Sequence, residues 1–244
     1  MIVVFLKTNS SDSHSEWEWS PLPAATPRQA IISSLLPRVY PIVDVPTLEQ
    51  RGVDPVDFAA ALLEGGAEIL QFRHKDEFSR SMWTCASQVA ALCRQRGARF
   101  IVNDRADIAL TLDAGAHMGQ DDLPPRDARI VLGPERWIGF STHNEAQVRD
   151  GDAEPVDYLA FGPVFETRSK VRPDATVGVA TLSRIRSFTR KPLVAIGGIT
   201  LETAAAVLRA GADSIAIISA LAPEPAKLGE VRERMEEWLK ATKP

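Results

Sequence analysis

From Val39 onward the hydrophobic positions switch back and forth between two patterns. Short runs rich in β-branched and aromatic residues alternate with longer stretches whose apolar residues recur at helical spacing. The short runs fall at 39–44 (VYPIVD), 69–75 (ILQFRHK), 99–104 (RFIVND), 116–120 (AHMGQ), 137–142 (WIGFST), 158–165 (YLAFGPVF), 193–198 (LVAIGG) and 214–221 (SIAIISAL). The helical pattern is clearest at 55–64, 79–96, 179–188, 203–210 and 224–241. Repeated right-handed βαβ units bury both faces of a parallel sheet, and eight of them predict an α/β fold, a (β/α)8 TIM barrel. An open doubly wound sheet competes, but its dinucleotide-binding version requires GxGxxG directly after a strand, and no such run is present.

Residues 7–30 hold Ser, Asp, Pro and Thr interrupted by Trp17 and Trp19, with no sustained period. They predict an irregular N-terminal extension over 1–36, followed by a barrel domain over 37–244, with the two tryptophans available to pin the arm.

Composition narrows the function classes. Of 244 residues, 28 are Lys or Arg and 32 are Asp or Glu, giving a net charge of −4, so the surface is not one built to grip nucleic acid. No apolar run approaches the ~20 residues of a membrane helix, and the expectation is a cytoplasmic protein with no membrane partner. The two cysteines, Cys85 and Cys93, would lie about 12 Å apart on one helix, too far for a disulfide.

In a barrel of this kind, chemistry gathers at the C-terminal ends of the strands, and those ends are rich in polar residues here. The second ends in Gln71, Arg73 and Lys75, whose spacing of two puts all three on one face and Phe72 and His74 on the other. Three polar heads converging on the axis predict an anion site. Asp104 and Asp122 stand at the tips of neighbouring strands and can face one another across Mg²⁺, although Asp104 could instead cap the helix that follows it. Strand five supplies Ser141, Thr142 and His143. The seventh and eighth ends offer Gly197, Gly198, Ile218 and Ser219, a second, backbone-built phosphate site. His117, read as lying at the start of its strand, is expected to be structural.

Seven segments in order carry a resemblance: QFRHK (71–75), FIVNDRADIAL (100–110), GAHMGQDDLP (115–124), IGFSTH (138–143), GPVFETRSK (162–170), VAIGGIT (194–200) and IISAL (217–221). Together they resemble thiamine phosphate synthase, of the superfamily it shares with thiazole tautomerase. The resemblance implies a transferase that joins an aminopyrimidine methyl diphosphate to a hydroxyethylthiazole phosphate through a carbocation and releases pyrophosphate. Its partners are thus two small phosphorylated substrates, its cofactor Mg²⁺, and its assembly a homodimer. By that likeness Gln71, Arg73, Lys75 and Asn103 hold the diphosphate and pyrimidine, and Asp104 and Asp122 carry the metal. Ser141 lies near the leaving group, Lys170 receives the pyrophosphate, and Thr167, Ser169, Gly197, Gly198, Ile218 and Ser219 form the thiazole-phosphate pocket.

The chain departs from the family pattern at His74 (commonly Glu), Asp76 (commonly Gly), Glu166 (commonly Pro) and Thr203 (commonly Asn). By alternation His74 points away from the axis, and Thr203 is placed to cap a helix. Two other activities compete with synthesis. A tautomerase would need an acid or base such as His143 and no metal pair, and a silent barrel would keep only the glycine-lined phosphate site.

Overall fold

The computed structural model describes residues 3–6, 18–21, 26–167, 175–222, 224 and 227–243. Its elements in chain order are β1 (Val3–Leu6), β2 (Glu18–Pro21), α1 (Pro27–Leu35), β3 (Val39–Asp44), α2 (Val45–Gln50), α3 (Pro55–Glu64), β4 (Ile69–Arg73), α4 (Arg80–Arg96), β5 (Arg99–Asn103), α5 (Ala106–Thr111) and β6 (Gly115–Met118). They continue with α6 (Pro125–Leu132), β7 (Ile138–Thr142), α7 (Glu145–Ala153), β8 (Tyr158–Phe161), α8 (Gly178–Arg186), β9 (Leu193–Ile196), α9 (Leu201–Arg209), β10 (Ser214–Ile217) and α10 (Leu228–Ala241). Strands β3 to β10 pair in parallel, and β10 closes back onto β3, giving the expected (β/α)8 barrel. β1 and β2 form a separate antiparallel ribbon.

Alternation along the strands builds two apolar layers. Leu70 and Phe72 of β4, Val102 of β5 and Leu159 and Phe161 of β8 point outward and join the shell of core between strands and helices. Ile69, Ile101, Tyr40, Ile42, Tyr158 and Val194 point inward and fill the barrel. Helix boundaries follow local chemistry. Asp54 caps α3 by accepting from the N–H groups of Val56 and Asp57, with Pro55 in the first turn, and Ser79 caps α4 through Met82 N–H. Thr200 is the N-cap of α9, and Thr203 completes its capping box, Oγ1 accepting from Thr200 N–H at 2.9 Å, so the departure there keeps the helix start satisfied.

The structure differs from the pattern-based reading in two places. Within the span expected to be irregular lies α1, started by a reciprocal Thr26–Gln29 capping box with Pro27 at its first position. Its Ile32, with Leu36 just beyond, is buried in the same cluster as Trp137 and the inward barrel residues, so α1 plugs the N-terminal mouth. Several strands also end sooner than the apolar runs suggest. β8 stops at Phe161 before Gly162-Pro163, and β10 stops at Ile217, where the chain turns through Leu221 N–H to Ile218 O and Ala222 N–H to Ser219 O. Trp17 lies outside the described residues. Both cysteines are free. Among the described residues no helix is long and apolar enough to cross a membrane.

Candidate active site

The C-terminal mouth opens into a cavity of about 550 Å³. Its wall includes Gln71, Arg73, Lys75, Asn103, Asp104, Asp122, Ser141, Thr167, Gly197 and Ile218, so ten of the residues singled out from sequence meet around one space. Gly198 and Ser219 sit next to wall residues without lining the cavity themselves. A Cβ on Gly198 would lie 2.2 Å from the Glu166 carbonyl oxygen, so that face is taken by the loop after β8, and Ser219 is exposed on the turn after β10. Ser169 and Lys170 lie outside the described residues.

Gly197 has a further reason to be glycine. Its φ of 101° belongs to the region that side chains avoid, and a Cβ would stand 2.5 Å from that of Pro163. The β8–α8 loop therefore locks onto the end of β9, with Val164 N–H donating to Ile196 O and Phe165 N–H to Gly197 O.

The charged wall is arranged in pairs. Arg73 bonds to Asp44, a buried carboxylate at the end of β3 that also accepts from Thr47 Oγ1 at 2.5 Å. Lys75, just past the end of β4, bonds to Asp104. Asp104 adopts a left-handed φ of 62°, unusual for a residue with a side chain, and does not cap α5, whose N-cap is Arg105. Its carboxyl turns instead to Asp122, which is anchored by Gly119 N–H at 2.7 Å. Burial, and then the Asp122 carboxyl, push Asp104 up to about 6 against the opposing pull of Lys75.

Two facing carboxylates, with the charge on Asp104 disfavoured by burial and by Asp122, make a donor set suited to a hard divalent cation that completes its shell with water or phosphate oxygen. Among the described residues no three His, Cys, Asp or Glu side chains gather as metal ligands, so the protein's share of such a shell is two carboxylates. Beside them Asn103 lines the cavity, and its buried Nδ2 has no hydrogen-bond partner among the described residues.

Beneath these charges Gln71 and Ser141 are joined by three residues the pattern did not single out as chemistry, Tyr40, Tyr158 and His117. Gln71 Nε2 donates to Tyr40 Oη (3.2 Å), Tyr40 Oη meets Tyr158 Oη (2.8 Å), and Tyr158 Oη meets His117 Nδ1 (3.1 Å). His117 Nε2 then meets Ser141 Oγ (2.8 Å). His117 is thus not remote from the mouth. Strand β6 ends at Met118, two residues earlier than expected, and the imidazole lines the cavity while serving this buried network. Burial pushes both tyrosine hydroxyls above their ordinary range, so both remain protonated. His143 also lines the cavity, donating from Nδ1 to the Gly162 carbonyl at 2.7 Å. The signal for Tyr40 and Asp44 was the alternation of VYPIVD, which puts Tyr40, Ile42 and Asp44 on one face. His74 packs on Phe78 outside the cavity, as its position in the alternation required.

Residues 39–221 match the thiamine monophosphate synthase family. The thiamine-phosphate synthase of Koribacter versatilis is 43% identical over 210 residues, covering 84% of this chain and 95% of that protein. That of Chlorobium phaeovibrioides is 46% identical over 190 residues, covering 76% and 90%. The structure of thiamine phosphate pyrophosphorylase from Pyrococcus furiosus superposes with a TM-score of 0.73 at 32% identity, covering 86% of this chain and 96% of that one. With the match running from the first barrel strand to the turn after the last, and relatives aligned over nearly their full length, this chain belongs to the thiamine monophosphate synthase family and is a transferase.

Proposed function

We propose that the chain forms thiamine phosphate from an aminopyrimidine methyl diphosphate and a hydroxyethylthiazole phosphate, with pyrophosphate as the leaving group. The observation that carries this reading is the meeting, around one cavity, of a cationic and carboxylate wall with the ends of β9 and β10, through Gly197 and Ile218. One wall suits a diphosphate and the other a monophosphate, and the space between suits two small rings.

In the proposed reaction the bond between the pyrimidine methylene carbon and the diphosphate oxygen breaks, its electron pair leaving with the diphosphate. The thiazole nitrogen lone pair then forms the new carbon–nitrogen bond. Charge on the leaving oxygen grows as the bond ionises, and Arg73 and Lys75 act where that charge develops. Gln71 and Asn103, both on the cavity wall, orient the pyrimidine. Ser141 stands beside the leaving group, while Thr167 and the main chain about Gly197, Gly198, Ile218 and Ser219 hold the thiazole phosphate. Ser169 and Lys170 belong to the same reading. Asp104 and Asp122 would hold Mg²⁺, which when bound neutralises diphosphate charge. A cytoplasmic location and a homodimer complete the proposal.

The test is mass-spectrometric detection of thiamine phosphate, with pyrophosphate release, from the paired substrates with and without Mg²⁺. Product that requires both substrates and the metal is the expected result. Binding of the thiazole phosphate without turnover would instead identify a silent barrel, and isomerisation of a carboxylated thiazole phosphate a tautomerase.

A further inference from the structure

We infer that the buried tyrosine pair sets the direction of every hydrogen bond beneath the cavity, holding His117 as its Nε2–H tautomer and leaving Ser141 to donate its hydroxyl hydrogen into the cavity. The argument is a donor count. Tyr40 is buried, and its hydroxyl has two partners among the described residues, Gln71 Nε2 and Tyr158 Oη. The Gln71 amide nitrogen only donates, so the Tyr40 hydrogen goes to Tyr158.

If Tyr158 donated to Tyr40 instead, Tyr40 would accept twice and its own hydrogen would be buried without an acceptor, the costlier arrangement. Having accepted from Tyr40, Tyr158 donates onward to His117 Nδ1. That nitrogen is then the acceptor of a neutral ring, and the hydrogen sits on Nε2, which donates to Ser141 Oγ. The serine hydrogen must point elsewhere, and Ser141 lines the cavity.

Gly139 makes the arrangement possible. A Cβ there would fall 2.2 Å from the Tyr158 ring and 2.4 Å from His117 Nδ1, so only glycine lets the two meet. His143, in the same cavity, has the opposite tautomer fixed by its neighbour, because the Gly162 carbonyl can only accept from Nδ1. Two histidines at one mouth are therefore held in opposite tautomers. The benefit to catalysis, a serine donor fixed before substrate arrives, rests on the synthase reading. The tautomer assignment does not.

The experiment is nitrogen NMR of the full chain labelled with ¹⁵N-histidine, the signals assigned with His117→Asn and His143→Asn. The expected result is Nε2–H at His117 and Nδ1–H at His143. Nδ1–H, or a doubly protonated ring, at His117 near neutral pH would overturn the inference. Tyr158→Phe removes the hydroxyl that donates to Nδ1, so a second His117 tautomer should appear. In the same variant kcat should fall about tenfold, the value of one oriented hydrogen bond, with KM for the thiazole phosphate unchanged. A single unchanged tautomer in Tyr158→Phe would refute control by the pair, and Tyr40→Phe provides the same reading should that variant not fold. If the tautomers are as assigned but no thiamine phosphate forms, the functional reading fails and the polarity stands.

Discussion

The two ends of the barrel treat charge in opposite ways. At the N-terminal end, Asp157 is buried before β8 and is fully engaged, accepting from Arg28 Nε at 2.6 Å, an Arg129 guanidinium nitrogen at 2.8 Å and Ile138 N–H at 2.7 Å. Asp213, before β10, joins Arg186 and Leu193 N–H, and the Lys191 ammonium donates to the carbonyls of Glu154 and Val156. At the C-terminal end, Asp104 faces Asp122, Asp104 sits in a left-handed backbone, and the Asn103 amide lacks a partner. One end uses its charges to close the fold, while the other keeps unfavourable arrangements that a ligand would relieve. Polar residues at both ends look alike as residue types, and among the described residues Arg186 Nε and Ser214 Oγ lack partners at the N-terminal end too; what separates the C-terminal set is a facing carboxylate pair on the wall of a cavity.

This contrast can be tested from both sides. Asp157→Ala should have the largest effect, since it leaves two guanidinium groups without their buried partner. A loss of ~3–5 kcal/mol of stability in denaturant melts is expected, with turnover of the folded fraction unchanged. Asp104→Asn should do the reverse, reducing metal-dependent pyrophosphate release by ~10²–10³-fold while the melt in chelator stays at or above the parent's. Arg73→Ala should raise KM for the diphosphate substrate ~10–100-fold, the range for one charged hydrogen bond, and leave thiazole-phosphate binding nearly unchanged in calorimetry. Equal losses for both substrates would contradict two separate walls.

The smallest effect concerns pH. Asp104 is held near 6 in the fold against an ordinary 3.8, so the folded protein keeps that proton more tightly than the unfolded chain. Its contribution in the absence of metal is therefore fully present below about pH 4 and is lost as pH rises through about 6. Melts of the parent and Asp104→Asn in chelator should show the variant gaining relative stability over this interval and then levelling off. Parallel curves would show that the carboxylate pair is not strained.

Much of this was legible in the chain because periodicity is a backbone property. Alternation in QFRHK placed Gln71, Arg73 and Lys75 on one wall, and the eight recurring β-rich runs counted out the barrel. Strand ends were less legible, since apolar character continues past Phe161 and Ile217 while hydrogen bonding does not. Helix α1 was missed because nine residues with a weak apolar stripe carry little signal, although Thr26, Pro27 and Gln29 do spell a capping box. Alternation places Tyr40 on the inward face, but its pairing with Tyr158 could not be read. An aromatic residue inside a β-rich run reads as core, and only folding brings Tyr40 against a partner 118 residues away.

Helix α1 has a consequence for traffic. With Ile32 and Leu36 packed into the same cluster as Trp137 and the inward residues that fill the barrel, the cavity is a blind well with no passage through to the opposite end. Reactants and both products share one doorway, so departing pyrophosphate retraces the route of the incoming diphosphate and should compete with it for entry.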